Sequence, residues 1–211
     1  MNSSRAKILN RLQETQNKRD GQHLARPDFK SPIYPSLDKN LVDCFQTNLE
    51  LIGGKVLRIE NLNAVIPELK KLFESEKLEH LVCLEPKIQD VLNGNMAYKN
   101  SLDDFEHVGV GITTCEYLVA HLGSILVSSA SRSGRRLNVF PECHIVLASK
   151  DQLVSFLDDA LTKIETKYPD QFPSMITNIT GPSRTADIEK TLVMGMHGPK
   201  KLFVLLADEL F

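Results

Sequence analysis

From Leu41 onward, short apolar runs of strand length alternate with stretches whose apolar residues recur every three or four positions. Strands spaced by helices cannot pair as hairpins, so this order argues for a mostly parallel sheet with helices on both faces. The predicted strands cover 55–59, 80–84, 108–112, 124–128, 143–148, 175–180 and 202–206. The chain is thus expected to be an α/β protein with a sheet of about seven strands. Leu41, Phe45, Leu49 and Ile52 form a helical stripe closed by Gly53-Gly54. A second helix is predicted over 65–73. A third, between 112 and 124, opens on Thr113 and Glu116 at capping-box spacing. The strongest pattern covers 150–167, where Leu153, Val154, Phe156, Leu157, Ala160, Leu161 and Ile164 fall on one helical face. A last helix is predicted to start near Ser183.

With 211 residues, the chain is long enough to bury one full core. A polar segment with Ile8 and Leu12 at helical spacing, then a stretch carrying Pro27, Pro32 and Pro35, read as a helix and an ordered arm over 1–37. They precede one α/β domain over 38–211. A net charge of -2 makes no electrostatic case for nucleic acid or an anionic membrane. No apolar run approaches the ~18 residues of a membrane span, and the N-terminus lacks a secretory h-region. Cys44, Cys83, Cys115 and Cys143 form no C-x-x-C pair, the usual spacing for zinc or iron–sulfur clusters. Cys83 and Cys143 each lie in an apolar run and are expected to be buried free thiols, which fits a reducing cytoplasm, with no metal held by this chain.

In open parallel sheets, ligands bind beyond the carboxyl ends of the strands. Three loops qualify: Ile112-Thr113-Thr114, the segment 128–136, and the segment 180–187; the last two both follow predicted strands and are therefore expected to lie on the same edge and face one cleft. In the last, Ser183, Thr185 and Asp187 offer capping oxygens and Arg184 could pair with a carboxylate or phosphate; a well-capped turn explains the same residues. Arg132, Arg135 and Arg136 form the one dense basic cluster, an anion clamp or a solvated loop. Glu116 is a candidate carboxylate nucleophile, although its capping-box position is a complete structural explanation. His197, in the turn Gly195-Met196-His197-Gly198-Pro199, is a candidate acid or base or a brace for its own turn. Asp187 is a further candidate carboxylate. Gly109-Val110-Gly111 lacks both the G-x-G-x-x-G pattern and a Walker lysine. His144 reads as a half-buried strand residue.

Taken in order, Gly181-Pro182-Ser183-Arg184-Thr185-Ala186-Asp187-Ile188-Glu189 followed by Gly195-Met196-His197-Gly198-Pro199 and a last strand resembles the lactate utilization protein C family, which shares the LUD domain. Gly111-Ile112-Thr113, Gly123-Ser124 and Pro141 with His144-Ile145 add to the resemblance, which covers roughly 40–211. It implies a fold similar to the NagB/RpiA/CoA-transferase group. It also implies a role beside partner subunits that carry iron–sulfur clusters and together oxidise L-lactate to pyruvate. The sequence given shows no cysteine-rich tail, which matches the short, cluster-free member. The family often places an acid and a threonine before its Gly-Ser pair; here His121 and Leu122 stand there. Two functional classes follow: a cluster-free subunit of a lactate-oxidising system, or a stand-alone enzyme acting on a small anion, of the CoA-transferase, sugar-phosphate isomerase or cyclo-ligase type. The second would use Glu116 or Asp187.

Overall fold

The computed structural model describes residues 4–19, 31, 34, 36–37, 40–102, 108–185 and 193–211. The chain divides into two units, Met1–Ser36 and Leu37–Phe211. The first contains helix α1 (Ser4–Arg19), with Ile8, Leu9 and Leu12 exposed along it.

The second unit is built on a five-stranded, all-parallel sheet. Its strands are β1 (Lys55–Ile59), β2 (Leu81–Cys83), β3 (Val110–Thr113), β6 (Cys143–Ser149) and β11 (Lys201–Ala207), in the order β1-β11-β6-β3-β2. β6 is buried along its whole length, as a central strand covered on both faces must be. Alternate residues serve opposite layers. Ile145, Leu147, Phe203 and Leu205 pack with Val65, Leu69 and Leu72 of α3 (Val65–Glu76) and with Ile88 and Leu92 of α4 (Pro86–Leu92). Pro86 takes the first helical position of α4, where its missing N–H costs nothing. On the other face, Val146, Ala148, Val204 and Leu206 pack with Val42, Phe45 and Leu49 of α2 (Leu41–Leu51). Asn40 caps α2 by accepting from the Val42 N–H at 2.9 Å.

That same face is covered by a second sheet, smaller and mixed. It comprises β4 (Tyr117–Val119), β5 (Ser124–Ser128), β7 (Leu153–Val154) and β8 (Ile176–Ile179), in the order β7-β4-β5-β8. β5 runs antiparallel to both β4 and β8, and β4 runs parallel to β7. Its outer face is closed by Ala160 and Ile164 of α5 (Leu157–Lys167) against Val119 and Leu126. A short antiparallel pair, β9 (Arg184–Thr185) with β10 (Val193–Met194), completes the described strands.

The α/β class and all seven predicted strand positions match elements of the structure, but they do not form one sheet. Five lie in the parallel sheet, while 124–128 and 175–180 fall in the mixed one. The helix predicted between 112 and 124 is the β4–β5 hairpin instead, joined by a turn at Gly123. The helix predicted over 150–167 is broken. Ser149 and Gln152 close a 3₁₀ turn, with the Ser149 N–H donating to Gln152 Oε1 at 2.9 Å. Leu153 and Val154 then join β4 as a strand, and only Leu157 onward is helical. Near Ser183 the chain forms β9 rather than a helix start. Asp187, with Ala186, Ile188 and Glu189, lies outside the described residues.

Candidate functional site

Glu85 follows β2, Thr114 follows β3 and Ser149 ends β6. These carboxyl ends border a half-open cavity of about 650 Å³, flanked also by the end of β5, the loop after it and α5. Its walls hold two carboxylates from which water is nearly excluded.

Glu116, immediately before β4, is 5% exposed. Ser128 Oγ donates to its Oε1 at 2.6 Å and the Tyr168 hydroxyl donates to the same oxygen at 2.9 Å. Lys167 Nζ pairs with Oε2 at 2.8 Å. Burial pushes the Glu116 carboxyl up, but the bonds from Lys167, Ser128 and Tyr168 outweigh it and hold the group below the ordinary glutamate value. Lys167 is correspondingly held as a cation: burial lowers it, and the bond to Glu116 more than reverses this. Burial and the Glu116 charge push the Tyr168 hydroxyl up, so it stays a donor. The cluster is therefore a carboxylate, an ammonium and a neutral phenol in one wall of the cavity.

Glu85 is 8% exposed and gathers donors from two loops. The Thr114 N–H donates at 3.0 Å and the Thr114 hydroxyl at 2.5 Å, while Ser131 donates at 3.0 Å and Ser133 also donates. Four charge-assisted bonds on one buried carboxylate satisfy it without a cation. They also tie the loop after β5 to the end of β3. Arg132 lies between the two tethered serines and borders the cavity, as do Lys87 and Lys163. Among the described residues, no metal-holding group of three or more His, Cys, Asp or Glu side chains occurs. Cys83, Cys115 and Cys143 are buried free thiols, and desolvation pushes each up, Cys83 to about 11 and Cys143 to about 12.

The sequence candidates divide between two edges of the domain. Glu116 and Arg132 border the cavity, and Thr114 of the first candidate loop does too. Glu116 is not a helix cap: its N–H donates to the Leu126 carbonyl across the hairpin. Thr113 is fully buried and faces inward, its hydroxyl 2.9 Å from His144 Nε2, so it does not line the cavity. His144 is fully buried rather than half-buried. Arg135 leaves the cavity to bond Ser174 Oγ at 2.6 Å, and Arg136 is exposed on the same loop.

Ser183, Arg184, Thr185 and His197 sit elsewhere. β8 runs antiparallel to β5, with Ile176 opposite Ser128 and Ile179 opposite Ile125. The end of β8 thus points away from the Ser128 end of β5 that borders the cavity. The Arg184 guanidinium donates to the Ile52 carbonyl at the end of α2, the Ser183 N–H donates to Pro199 O at 2.8 Å, and Thr185 pairs with Val193. His197 is exposed in its turn, just before β11 begins. The expectation that the 180–187 loop and the arginine loop share one edge fails because it assumed a parallel β8. His121 and Leu122 also lie away from the cavity, in the β4–β5 turn. There His121 packs 5.4 Å from the Phe156 ring and Leu122 joins the α5 core. Ser128 opens the second candidate loop, whereas Glu85, Lys167 and Tyr168 escaped the sequence reading, since each is an ordinary polar residue next to an apolar run.

Comparison with known proteins places this architecture. The model of the LUD domain matches residues 42–207. The chain is 34% identical over 116 residues to lactate utilization protein C of Shouchella clausii, covering 54% of this chain and 51% of that protein. It is 29% identical over 166 residues to the protein of the same name from Bacillus velezensis, covering 76% and 68%. With that from Bacillus subtilis it shares 36% over 106 residues, covering 49% and 44%. The matches to the first of these relatives span about half of their length. Among solved structures, a DUF162 family protein from Deinococcus radiodurans has the same fold, with a TM-score of 0.58 at 16% identity, covering 79% of this chain and 96% of that one. By the LUD-domain match over 42–207 and these relatives, the chain belongs to the LUD domain family and is a distant homologue of lactate utilization protein C.

Proposed function

We propose that the chain is a cluster-free subunit of an L-lactate utilization system, acting in the cytoplasm with iron–sulfur partner subunits that receive the electrons as lactate becomes pyruvate. The observation that carries this reading is the LUD domain match over 42–207, together with relatives that are named lactate utilization proteins. The reading assigns no cofactor to this chain and leaves the clusters to its partners. None of the described helices is long and apolar enough to cross a membrane, which suits such an assembly. The cavity at the strand ends offers a place where a small anion meets an ionised carboxylate, an ammonium group and a phenol.

The test is genetic and biochemical together. Deleting the gene in its own host is expected to abolish growth on L-lactate while leaving growth on pyruvate intact. Tagged chain from lactate-grown cells is expected to bring down cysteine-rich iron–sulfur proteins. Normal growth on lactate without the gene would overturn the reading.

One observation favours a second reading, a stand-alone enzyme of the CoA-transferase, isomerase or cyclo-ligase type: Glu116 is a buried, ionised carboxylate in a cavity wall, between a cation and a phenol. Fold-level analogy is a weak warrant for any one of those reactions. Wild-type growth of the deletion strain on lactate, with loss of growth on another carbon source, would select it.

A further inference from the structure

The cavity is larger than lactate needs. About 650 Å³ lies within the ~300–1,000 Å³ range of pockets that take ligands of many atoms. A three-carbon hydroxy acid fills a small part of it. The charges around the cavity are also unevenly used. Glu116 is matched by Lys167, Glu85 accepts from four neutral donors, and Asp151, the third carboxylate of the lining, accepts from the Ser149 hydroxyl. Lys87, Lys163 and Arg132 border the same space, and among the described residues none of the three has a carboxylate within ion-pair distance. Lys87 lies 5.3 Å from the Phe211 ring and Lys163 5.6 Å from the Tyr117 ring. Those contacts hold the ammonium groups at the rim without neutralising them.

Arg132 is held differently. Ser131 and Ser133 both donate to Glu85, so the backbone on each side of the arginine is tethered to one buried carboxylate. A cation presented on a loop already fixed loses less freedom when an anion arrives. Elsewhere in the lining, Glu116 Oε2 accepts from Lys167 alone among the described residues, which leaves capacity for a hydroxyl donor.

We propose that this cavity binds a hydroxyl-bearing organic anion larger than lactate. Arg132, with Lys87 and Lys163, holds its carboxylate or phosphate group. The Glu116–Lys167–Tyr168 cluster holds its hydroxyls. Glu85 is a positioning residue that presents Arg132. The inference stands apart from the lactate reading: it concerns what fits the cavity, whichever assembly the chain joins.

The test is calorimetric titration of the full chain with gluconate, glucose 6-phosphate, inorganic phosphate and L-lactate. At least one six-carbon anion is expected to bind ~10-fold or more tightly than lactate and inorganic phosphate; the gluconate and glucose 6-phosphate arms separate carboxylate from phosphate recognition. Arg132→Gln is expected to weaken that binding by ~10–100-fold, the loss typical of a charge-assisted contact. Glu116→Gln should weaken the hydroxylated anion and leave inorganic phosphate unchanged. Glu85→Gln, or Ser131→Ala with Ser133→Ala if the first variant does not fold, should weaken binding and flatten its dependence on ionic strength as Arg132→Gln does. No binding of either six-carbon anion, tightest binding of lactate, or wild-type affinity in Arg132→Gln would overturn the site. An unchanged salt dependence in the Glu85 and serine variants would reduce Glu85 to a structural role.

Discussion

The imidazole of His144 projects from β6 on the face shared with Val146 and Ala148, toward the mixed sheet. Its Nε2 meets the Thr113 hydroxyl, and its Nδ1 has no hydrogen-bond partner among the described residues. Burial pushes it down from 6.5 to about 4. The unfolded chain therefore takes up a proton at this residue between pH 6.5 and 4 that the folded chain refuses. The stability contributed by the neutral imidazole is present above pH 6.5 and is lost as the pH falls toward 4. That interval corresponds to ~3 kcal/mol at most. His144→Gln keeps an amide near Thr113 but cannot titrate. Urea midpoints measured from pH 7.5 to 4 are expected to fall more steeply in the wild type than in the variant. Parallel curves would show that His144 takes up its proton equally readily in the folded and the unfolded chain. Glu116 acts lower on the scale: its carboxylate lies below the ordinary value, so its contribution is lost only as the pH falls through that lowered range.

At the scale of elements, the β4–β5 turn is docked on α2. Asn48 Nδ2 donates to the carbonyls of Ala120 and His121 at 2.9 and 3.0 Å, and Gly123 adopts a φ of +62° directly against the backbone of Asn48 and Leu49. A Cβ there would meet helix backbone, which cannot swing aside. Gly94 also has a positive φ, +72°, but faces open space. Both Ala substitutions carry the left-handed backbone penalty of ~1–2 kcal/mol, and only Gly123→Ala adds the clash. Chemical denaturation is expected to show Gly123→Ala losing at least ~2 kcal/mol more than Gly94→Ala; equal losses would mean that the turn is not held against the helix. This docking also shows what the sequence could and could not reveal. Strand and helix positions at 55–59, 124–128 and 41–51 were legible because each follows from a local period. Thr113 and Glu116 have the spacing of a capping box, but a cap needs a helix, and the segment pairs with β5 instead. Leu153 and Val154 fit a helical face equally well as residues of β7; partner strands decided between the two, and these are distant in sequence. The cavity was half legible for the same reason. Thr114 and Arg132 sit in loops that a strand-end rule selects, and Glu116 stands out as a carboxylate two residues beyond the first of them. Glu85, Lys167 and Tyr168 become a site only when β2, β4 and α5 converge.

The scale of the whole molecule bears on what one chain can do alone. Converting L-lactate to pyruvate removes two electrons and two protons, and the electrons require an acceptor. The sequence contains no C-x-x-C pair and no G-x-G-x-x-G pattern. The buried thiols of Cys83 and Cys143 are pushed well above neutrality, a state in which they are poor nucleophiles and poor ligands. The Glu116 cluster can take a proton or hold a hydroxyl, but a carboxylate, an ammonium and a phenol do not store electron pairs. Under the proposed function, proton handling and ligand holding fall to this chain, and electron transfer falls to its partners. The purified chain is therefore expected not to reduce an artificial electron acceptor when L-lactate is supplied. Adding iron–sulfur proteins that co-purify with it from lactate-grown cells should bring lactate-dependent reduction. Glu116→Gln in the reconstituted mixture should then lower that rate, while leaving dithionite reduction of the partners' clusters unchanged. Lactate-dependent turnover by the lone chain would contradict the division of labour and with it the subunit reading.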